Sequence, residues 1–594
     1  MPFQVSPGVN VSEIDLTTAI PSVSTSVGAF AGRFQWGPAM DTTLVTSETD
    51  LVGQFFKPAD DNTSQDFFTA ANFLAYSGAL RLVRVIDEDN AAGAGSVNAQ
   101  ELGSAGGAGD KGLLIKNDSH FDGGLPTSNT FYAKYAGSIG NEITVELCDH
   151  AGSVGFGFQN WAPNTFFDAP PGTSEYASKR GVTNDELHVA VLDSPTGTFS
   201  GTANAVLEVF PFLSKGSDVR NSSGDVIHWE TYINNQSRYI RIGSETAKTN
   251  ATYGTSTATR AADSDGYGTA YGNVASGIIS VKLSGGRDGA FSAGEFTGGY
   301  DLFADTDQED ISLMIAGGGG GGLGDNDKEA VIKKVIDIAT TRKDCVAFYS
   351  PLQSDTQGVA TDSGRLDAVK EFRLTNTNKN TSYAFMDSGW KYQYDKYNDT
   401  YRWIPLNGDI AGLAARTDQQ RDAWFSPAGY NRGQIKNVVK LAYNPSKAHR
   451  DELYSKQINP VVSFPGQGTL LFGDKTSQTR PSAFDRINVR RLFIVLEKAI
   501  STASKFSLFE FNDAFTRAQF RNMVEPFLRD VQGRRGITDF KVVCDETNNP
   551  GSVVDRNEFV GDIYVKPVRS INFIQLNFVA VSTGVDFTEV VGKF

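Results

Sequence analysis

Six consecutive glycines, Gly317 to Gly322, stand between an apolar run, ISLMIA (311–316), and a helical run, DKEAVIKKVIDIATTR (327–342). A loop in that position can cradle a phosphate, because backbone N–H groups and the positive end of the helix dipole both face it. The neighbouring residues argue otherwise. No Gly-Lys-[Ser/Thr] follows, and Asp325, Asp327 and Glu329 at the helix entrance would repel an anion. GDKT (473–476) has the ending of a phosphate loop without its upstream glycine. The expectation is a flexible or close-packed loop.

The other reactive residue types are equally sparse. His120, His150, His188, His228 and His449 form no HxxxH or HExxH pair, so no metal ligand set is predicted. Cys148, Cys345 and Cys544 lie about 200 residues apart with no CxxC spacing, which fits buried thiols in a reducing compartment. No serine occupies a G-x-S-x-G elbow. DTDQED (305–310) lacks the glycine and terminal glutamate of a calcium loop and reads as a solvated turn. An enzyme is not predicted, and no cofactor is.

The elements around these residues alternate between two periodicities. GAFAGRF and the segment Leu80 to Ile86 read as strands, with a helix ending near Gly78 between them. A Gly/Ala/Ser-rich stretch (90–109) precedes a region to about 300 with short strand-like runs, NEITVEL (141–147) and LHVAVLD (187–193). The glycine loop sits in a βαβ unit, with Val331, Val335 and Ile338 at helical spacing and DCVAFYS as the second strand. Two helical stripes follow near the end, one on Leu492, Leu496, Ile500 and Ala503, the other on Phe520, Val524, Phe527, Leu528 and Val531.

Both ends of the chain carry extended segments without an evident local partner. VSPGVNVSEIDL (5–16) places Val5, Val9 and Val11 on one side. INFIQLNFVAV (571–581) alternates with period two, Ile574, Leu576 and Phe578 sharing a face, and after Ser582 to Gly584 the piece VDFTEVVGKF alternates again. An extended stretch of 12 residues reaches about 40 Å, whereas a 100-residue domain has a radius near 13 Å. The tail can therefore clear its own domain and pair with another.

The 594 residues, 40% of them hydrophobic and 21% charged, are enough for about three or four packed domains. The net charge of -15 argues against non-specific binding to nucleic acid or anionic membranes. Residues 481–594 hold 15 Lys+Arg against 14 Asp+Glu, so the remainder of the chain carries -16 and the two regions are expected to face different surroundings. No apolar run approaches the roughly 20 residues of a bilayer span, and the start has no basic and apolar leader, which points to a chain neither exported nor embedded by itself.

SPGVNVSEID (6–15), GAFAGRFQWGP (28–38), LSGGRDG (283–289), IPLNGDIAGLAARTD (404–418), SPAGY (426–430), INVRRLFIVLEKAI (487–500) and GDIYVKPVRSINFIQLNFVAV (561–581) occur in this order. In that order they resemble the tail sheath proteins of contractile-tailed bacteriophages, the large myovirus type more than the shorter pyocin type. The resemblance implies a structural subunit that stacks as hexameric rings around a tail tube and contracts to drive the tube through the host envelope. It also implies homo-oligomers in contact with tail tube, baseplate and tail terminator proteins, in a virion tail assembled in the host cytoplasm, without nucleic acid or membrane insertion.

The expected fold is α+β and multidomain, with discontinuous domains. It comprises an N-terminal arm (1–20), a middle α/β-type domain (21–90 with 286–360), a β-rich outer insertion (91–285) and a connecting α+β domain (361–480). A C-terminal polymerisation domain (481–582), with helices packed on a sheet completed by neighbours' arms, and a C-terminal arm (583–594) follow. The resemblance makes Val5, Val9, Val11, Ile14, Val585, Phe587 and Val590 the arm residues and Ile574, Leu576 and Phe578 the receiving strand. Arg490, Arg491, Arg517, Arg521, Arg534 and Arg535 are candidates for a face toward the tube, or else for intersubunit and intrahelical pairs. Two other readings remain: a sheath of a related injection machine, and a nucleotide-binding enzyme using Gly317 to Gly322.

Overall fold

The apolar run and the helical run flanking the six glycines form a βαβ unit, as their periodicity predicts. Strands Leu313–Ile315 and Val346–Tyr349 pair in parallel, and the helix Asp325–Arg342 joins them, ending on Lys343 in a left-handed conformation. The computed structural model describes residues 24–88, 95–101, 113–124, 129–149, 157–243, 278–572 and 575. Within them the chain divides into two units, one of Val23–Ala423 with Pro427–Arg490, the other holding Trp424–Ser426 and the chain from Arg491 onward.

The larger unit is built on a six-stranded sheet in the order Ala384–Met386, Val346–Tyr349, Leu313–Ile315, Gly28–Gly32, Leu80–Arg84, Thr42–Val45. The first five strands are parallel and the last is antiparallel. Parallel strands are covered on both faces by crossover helices, so their residues are apolar on both sides. Ala29, Ala31, Val83, Met314, Ala347 and Tyr349 share a core with Phe296, Tyr300, Val331 and Val335 from the helices Ala293–Asp301 and Asp325–Arg342. The helices Asp61–Leu74 and Asn407–Gln420 pack on each other and against strands of the same sheet. The first of these opens with a capping box between Asp60 and Thr63, which satisfies two N–H groups of its first turn. The sheet draws its edge strand Ala384–Met386 from beyond residue 360, so one sheet spans the boundary expected there.

Between Asn98 and Lys282 the described residues form antiparallel sheets. Four strands lie in the order Ile278–Lys282, Thr144–Cys148, Glu186–Leu192, Val206–Ser214, and three in the order Asn98–Gln100, Phe131–Ala136, Ile240–Ile242. Val145, Leu147, Leu187, Val189, Val191, Phe131 and Trp229 give this region a core of its own. Arg84, buried at the end of its strand, ties it to the large sheet: Nε donates to Phe34 C=O at 2.9 Å, Nη1 to Gly37 C=O at 2.9 Å, and Nη2 to Ala136 C=O at 2.7 Å.

The smaller unit packs the apolar stripe of one long helix against another and both against a two-stranded antiparallel sheet. Leu492, Leu496 and Ile500 of the helix Ile487–Ser504 meet Phe520, Val524, Leu528 and Val531 of the helix Ala514–Gly533. Asp513 caps the second helix by accepting from the Thr516 N–H at 2.8 Å. Strands Ile537–Val543 and Asp562–Pro567 place Phe540, Val542, Ile563 and Val565 on the inner face, with Lys541 opposite Tyr564 on the outer one.

Candidate assembly interface

The glycine loop is filled by the chain's own side chains. Asp66, buried on the helix Asp61–Leu74, accepts from the backbone N–H of Arg33 at 2.8 Å and also from that of Gly321. An internal carboxylate thus occupies the position an anion would take. Burial, opposed by those hydrogen bonds and by Arg33 and Lys328, raises its pKa to about 7. Asn407 Nδ2 donates to Gly317 C=O at 2.7 Å, and a Cβ placed on Gly321 would collide with the backbone carbonyl of Asn62. The loop is glycine-rich because backbone and side chains press against it, which removes the geometric basis of the nucleotide reading.

The histidines are held in local structure. His188 stacks on Phe167 at 4.5 Å between centroids, its Nε2–H donates to Ala169 C=O at 2.9 Å, and its Nδ1 accepts from the Phe212 N–H at 2.9 Å. His449 Nδ1 lies 3.0 Å from Tyr443 OH and His228 Nδ1 lies 3.0 Å from Thr231 Oγ1. His150 lies outside the described residues. Among the described residues no cluster of three His, Cys, Asp or Glu could hold a metal, and no helix is long and apolar enough to cross a membrane. Cys148, Cys345 and Cys544 are buried thiols.

What the smaller unit offers instead is backbone. Its two strands pair with each other, and among the described residues neither has a second neighbour, so each presents an outer edge of N–H and C=O groups. The inner face is packed on the helix Ala514–Gly533, which fixes the sheet and leaves the edges as its open features. A strand laid along such an edge gains ladder hydrogen bonds without rearranging the core.

Comparison with known proteins decides the family. A tail sheath protein of Vibrio phage KVP40 is 37% identical, with 99% of this chain and 100% of that protein covered, and the tail sheath protein of Enterobacteria phage T4 is 35% identical, with 99% of each covered. The chain belongs to the phage tail sheath family. Three family descriptions match along this sheath chain: tail sheath protein Gp18 domain III N-terminal region at 25–85, phage tail sheath protein central domain at 300–477, and phage tail sheath C-terminal domain at 479–580. The crystal structure of a sheath tail protein from Listeria innocua is similar in fold, with a TM-score of 0.51 at 11% identity, covering 92% of the sheath chain and 96% of its own.

Of the residues singled out in sequence, Val5, Val9, Val11, Ile14, Ile574, Leu576, Phe578, Val585, Phe587 and Val590 lie outside the described residues. Arg490 and Arg491 are 6% and 4% exposed. The Arg490 guanidinium lies over Phe484 at 4.0 Å and Tyr383 at 4.3 Å, and donates to Ser382 Oγ at 3.1 Å. Both side chains are buried within the described residues, that of Arg490 against Tyr383 and Phe484. Arg517 and Arg521 are half-buried and Arg534 and Arg535 exposed. Arg534 pairs with Asp530 at 2.8 Å one turn back, so it makes the intrahelical pair that sequence reading held as the other possibility. Sequence reading passed over KFSLFEFNDAF (505–515), whose signal was five large apolar residues between two helical stripes that already had enough.

Proposed function

We propose that this chain is the polymerising subunit of a contractile tail sheath, stacked as hexameric rings around a tail tube and joined by exchanged strands. The observation that carries the reading is the two-stranded sheet Ile537–Val543/Asp562–Pro567, open at both edges among the described residues, in a chain alike over its whole length to tail sheath proteins. Extended segments bearing Val5, Val9, Val11 and Ile14 at one end and Val585, Phe587 and Val590 at the other are the strands donated to neighbours. Ile574, Leu576 and Phe578 belong to the strand that receives them. Alternation along each arm sets the register, because a slip of one residue would turn its apolar face outward.

Arms joined through Ser582, Thr583 and Gly584 keep copies connected while the bodies turn, so the lattice shortens without falling apart. Contraction then draws on the difference between two sets of intersubunit contacts. A difference of about 1–3 kcal/mol per subunit, summed over a long cooperative array, is enough to drive it. No nucleotide is required, in keeping with a glycine loop closed by Asp66. Arg517, Arg521 and Arg535 remain candidates for a face toward the tail tube protein, and baseplate and terminator proteins are the expected partners at the sheath's ends.

Electron microscopy of the purified full-length chain tests the reading. Hollow cylinders built from stacked rings are expected. Particles that stay monomeric at every concentration and salt level would overturn it.

A further inference from the structure

The loop between the two long helices of the smaller unit exposes an apolar surface that no part of the described chain covers. Phe506, Leu508, Phe509, Phe511 and Phe515 are between 63% and 106% exposed. At about 200 Å² per aromatic side chain, they present on the order of 800 Å² of apolar surface. A soluble monomer's largest apolar patch is roughly 300–600 Å², and one partner's share of a stable interface is about 800 Å². The patch continues into a depression on the next helix, lined by Phe515, Ala518, Gln519, Asn522 and Met523.

We infer that the loop 505–515 with this depression is a docking surface for a second copy of the same chain, adjoining the edge that receives the exchanged strand. The inference rests on the proposed function, and continuity with that edge selects the occupant. Asn512 Nδ2 donates to Glu558 C=O at 2.8 Å, and Phe520 meets Phe559 edge to face at 5.4 Å. The loop is therefore pinned to the segment that leads directly into the open strand Asp562–Pro567. A copy whose arm extends the sheet that holds that strand brings its surface within reach of the phenylalanines. Charge speaks against an anionic membrane or nucleic acid as occupant, since residues 505–515 hold Glu510 and Asp513 against the single Lys505, a net charge of -1. Aromatic side chains with few charges are what the desolvated centre of a protein interface uses.

Photo-crosslinking tests the assignment in the full-length chain, with benzoylphenylalanine in place of Phe509 and a mixture of isotopically light and heavy protein. The expected product is a light–heavy crosslinked dimer formed by the chain alone. The double variant F509D/F511D should melt as the wild type does yet lose at least tenfold of its sedimentable assemblies, because both side chains are exposed in the single subunit. Wild-type assembly without an intermolecular crosslink at 509, crosslinks that form only when tail tube protein is added, or undiminished assembly of the double variant would each overturn the inference and leave the sheath reading standing. A wild-type chain that never assembles would overturn the sheath reading and this inference with it.

Discussion

The carboxylate of Asp66 accepts from the backbone N–H of Arg33 at 2.8 Å and from that of Gly321, and the second bond brings an acid from one crossover helix against the glycine loop of another βαβ unit. That contact explains the glycines better than any ligand would. Gly321 has no room for a methyl group beside Asn62, so Gly321→Ala is expected to destabilise the larger unit by about 1–3 kcal/mol, the range for overpacking a tight site. Urea denaturation measures it. The same variant and the wild type should both fail to bind ATP by calorimetry.

Arg84 supplies a second test of the large unit. Its guanidinium satisfies carbonyls of Phe34, Gln35, Gly37 and Ala136 at once. Lysine cannot reproduce that fork. Arg84→Lys is expected to cost about 3 kcal/mol, since buried carbonyls lose their donors. Hydrogen exchange should show faster opening around Phe131–Ala136.

Asp387 sets a pH dependence. Buried, with Ser350 Oγ donating at 2.7 Å and the Gly389 N–H at 2.9 Å, it has its pKa raised by desolvation to about 7. A carboxyl whose folded pKa lies above its unfolded value contributes stability at low pH and loses it as pH rises through 7. Between pH 5 and pH 8 the loss is roughly 2–3 kcal/mol. Urea midpoints of the wild type should fall further across this range than those of Asp387→Asn, which keeps only the drop due to Asp66 and Asp355.

The antiparallel sheets between Asn98 and Lys282 have the opposite sign. Both nitrogens of His188 are engaged in the neutral form, and burial holds its pKa below the ordinary value of 6.5. A depressed folded pKa means stability present above pH 6.5 and lost as pH falls. Protonation breaks the bond from the Phe212 N–H, so hydrogen-exchange protection factors in Glu186–Leu192 and Val206–Ser214, corrected for the intrinsic rate at each pH, should be lower at pH 5 than at pH 7. H188F, which lacks that bond at any pH, should show no such step.

These elements differ in how far the sequence reveals them. The βαβ unit was legible because its signal is local: Val331, Val335 and Ile338 repeat at helical spacing between two apolar runs, and all three are buried where the pattern puts them. The purpose of the glycines was not, because Asp66 approaches from a segment about 250 residues earlier. Arg490 looked like surface charge for the same reason, its ring partners Tyr383 and Phe484 coming from a distant strand end and a neighbouring turn. The family was legible from ordered short motifs, while the open edges of the terminal sheet needed the strand register. The apolar loop at 505–515 was hidden between two stripes, where periodicity treats extra phenylalanines as more core.

Removing residues 583–594 tests strand exchange most directly, with velocity sedimentation and electron microscopy of the truncated and full-length chains side by side. Strand exchange predicts a truncated chain that melts at the same temperature as the full-length one but sediments as a single subunit and forms no cylinders. Truncated protein that still builds cylinders, and still shortens them, would contradict it.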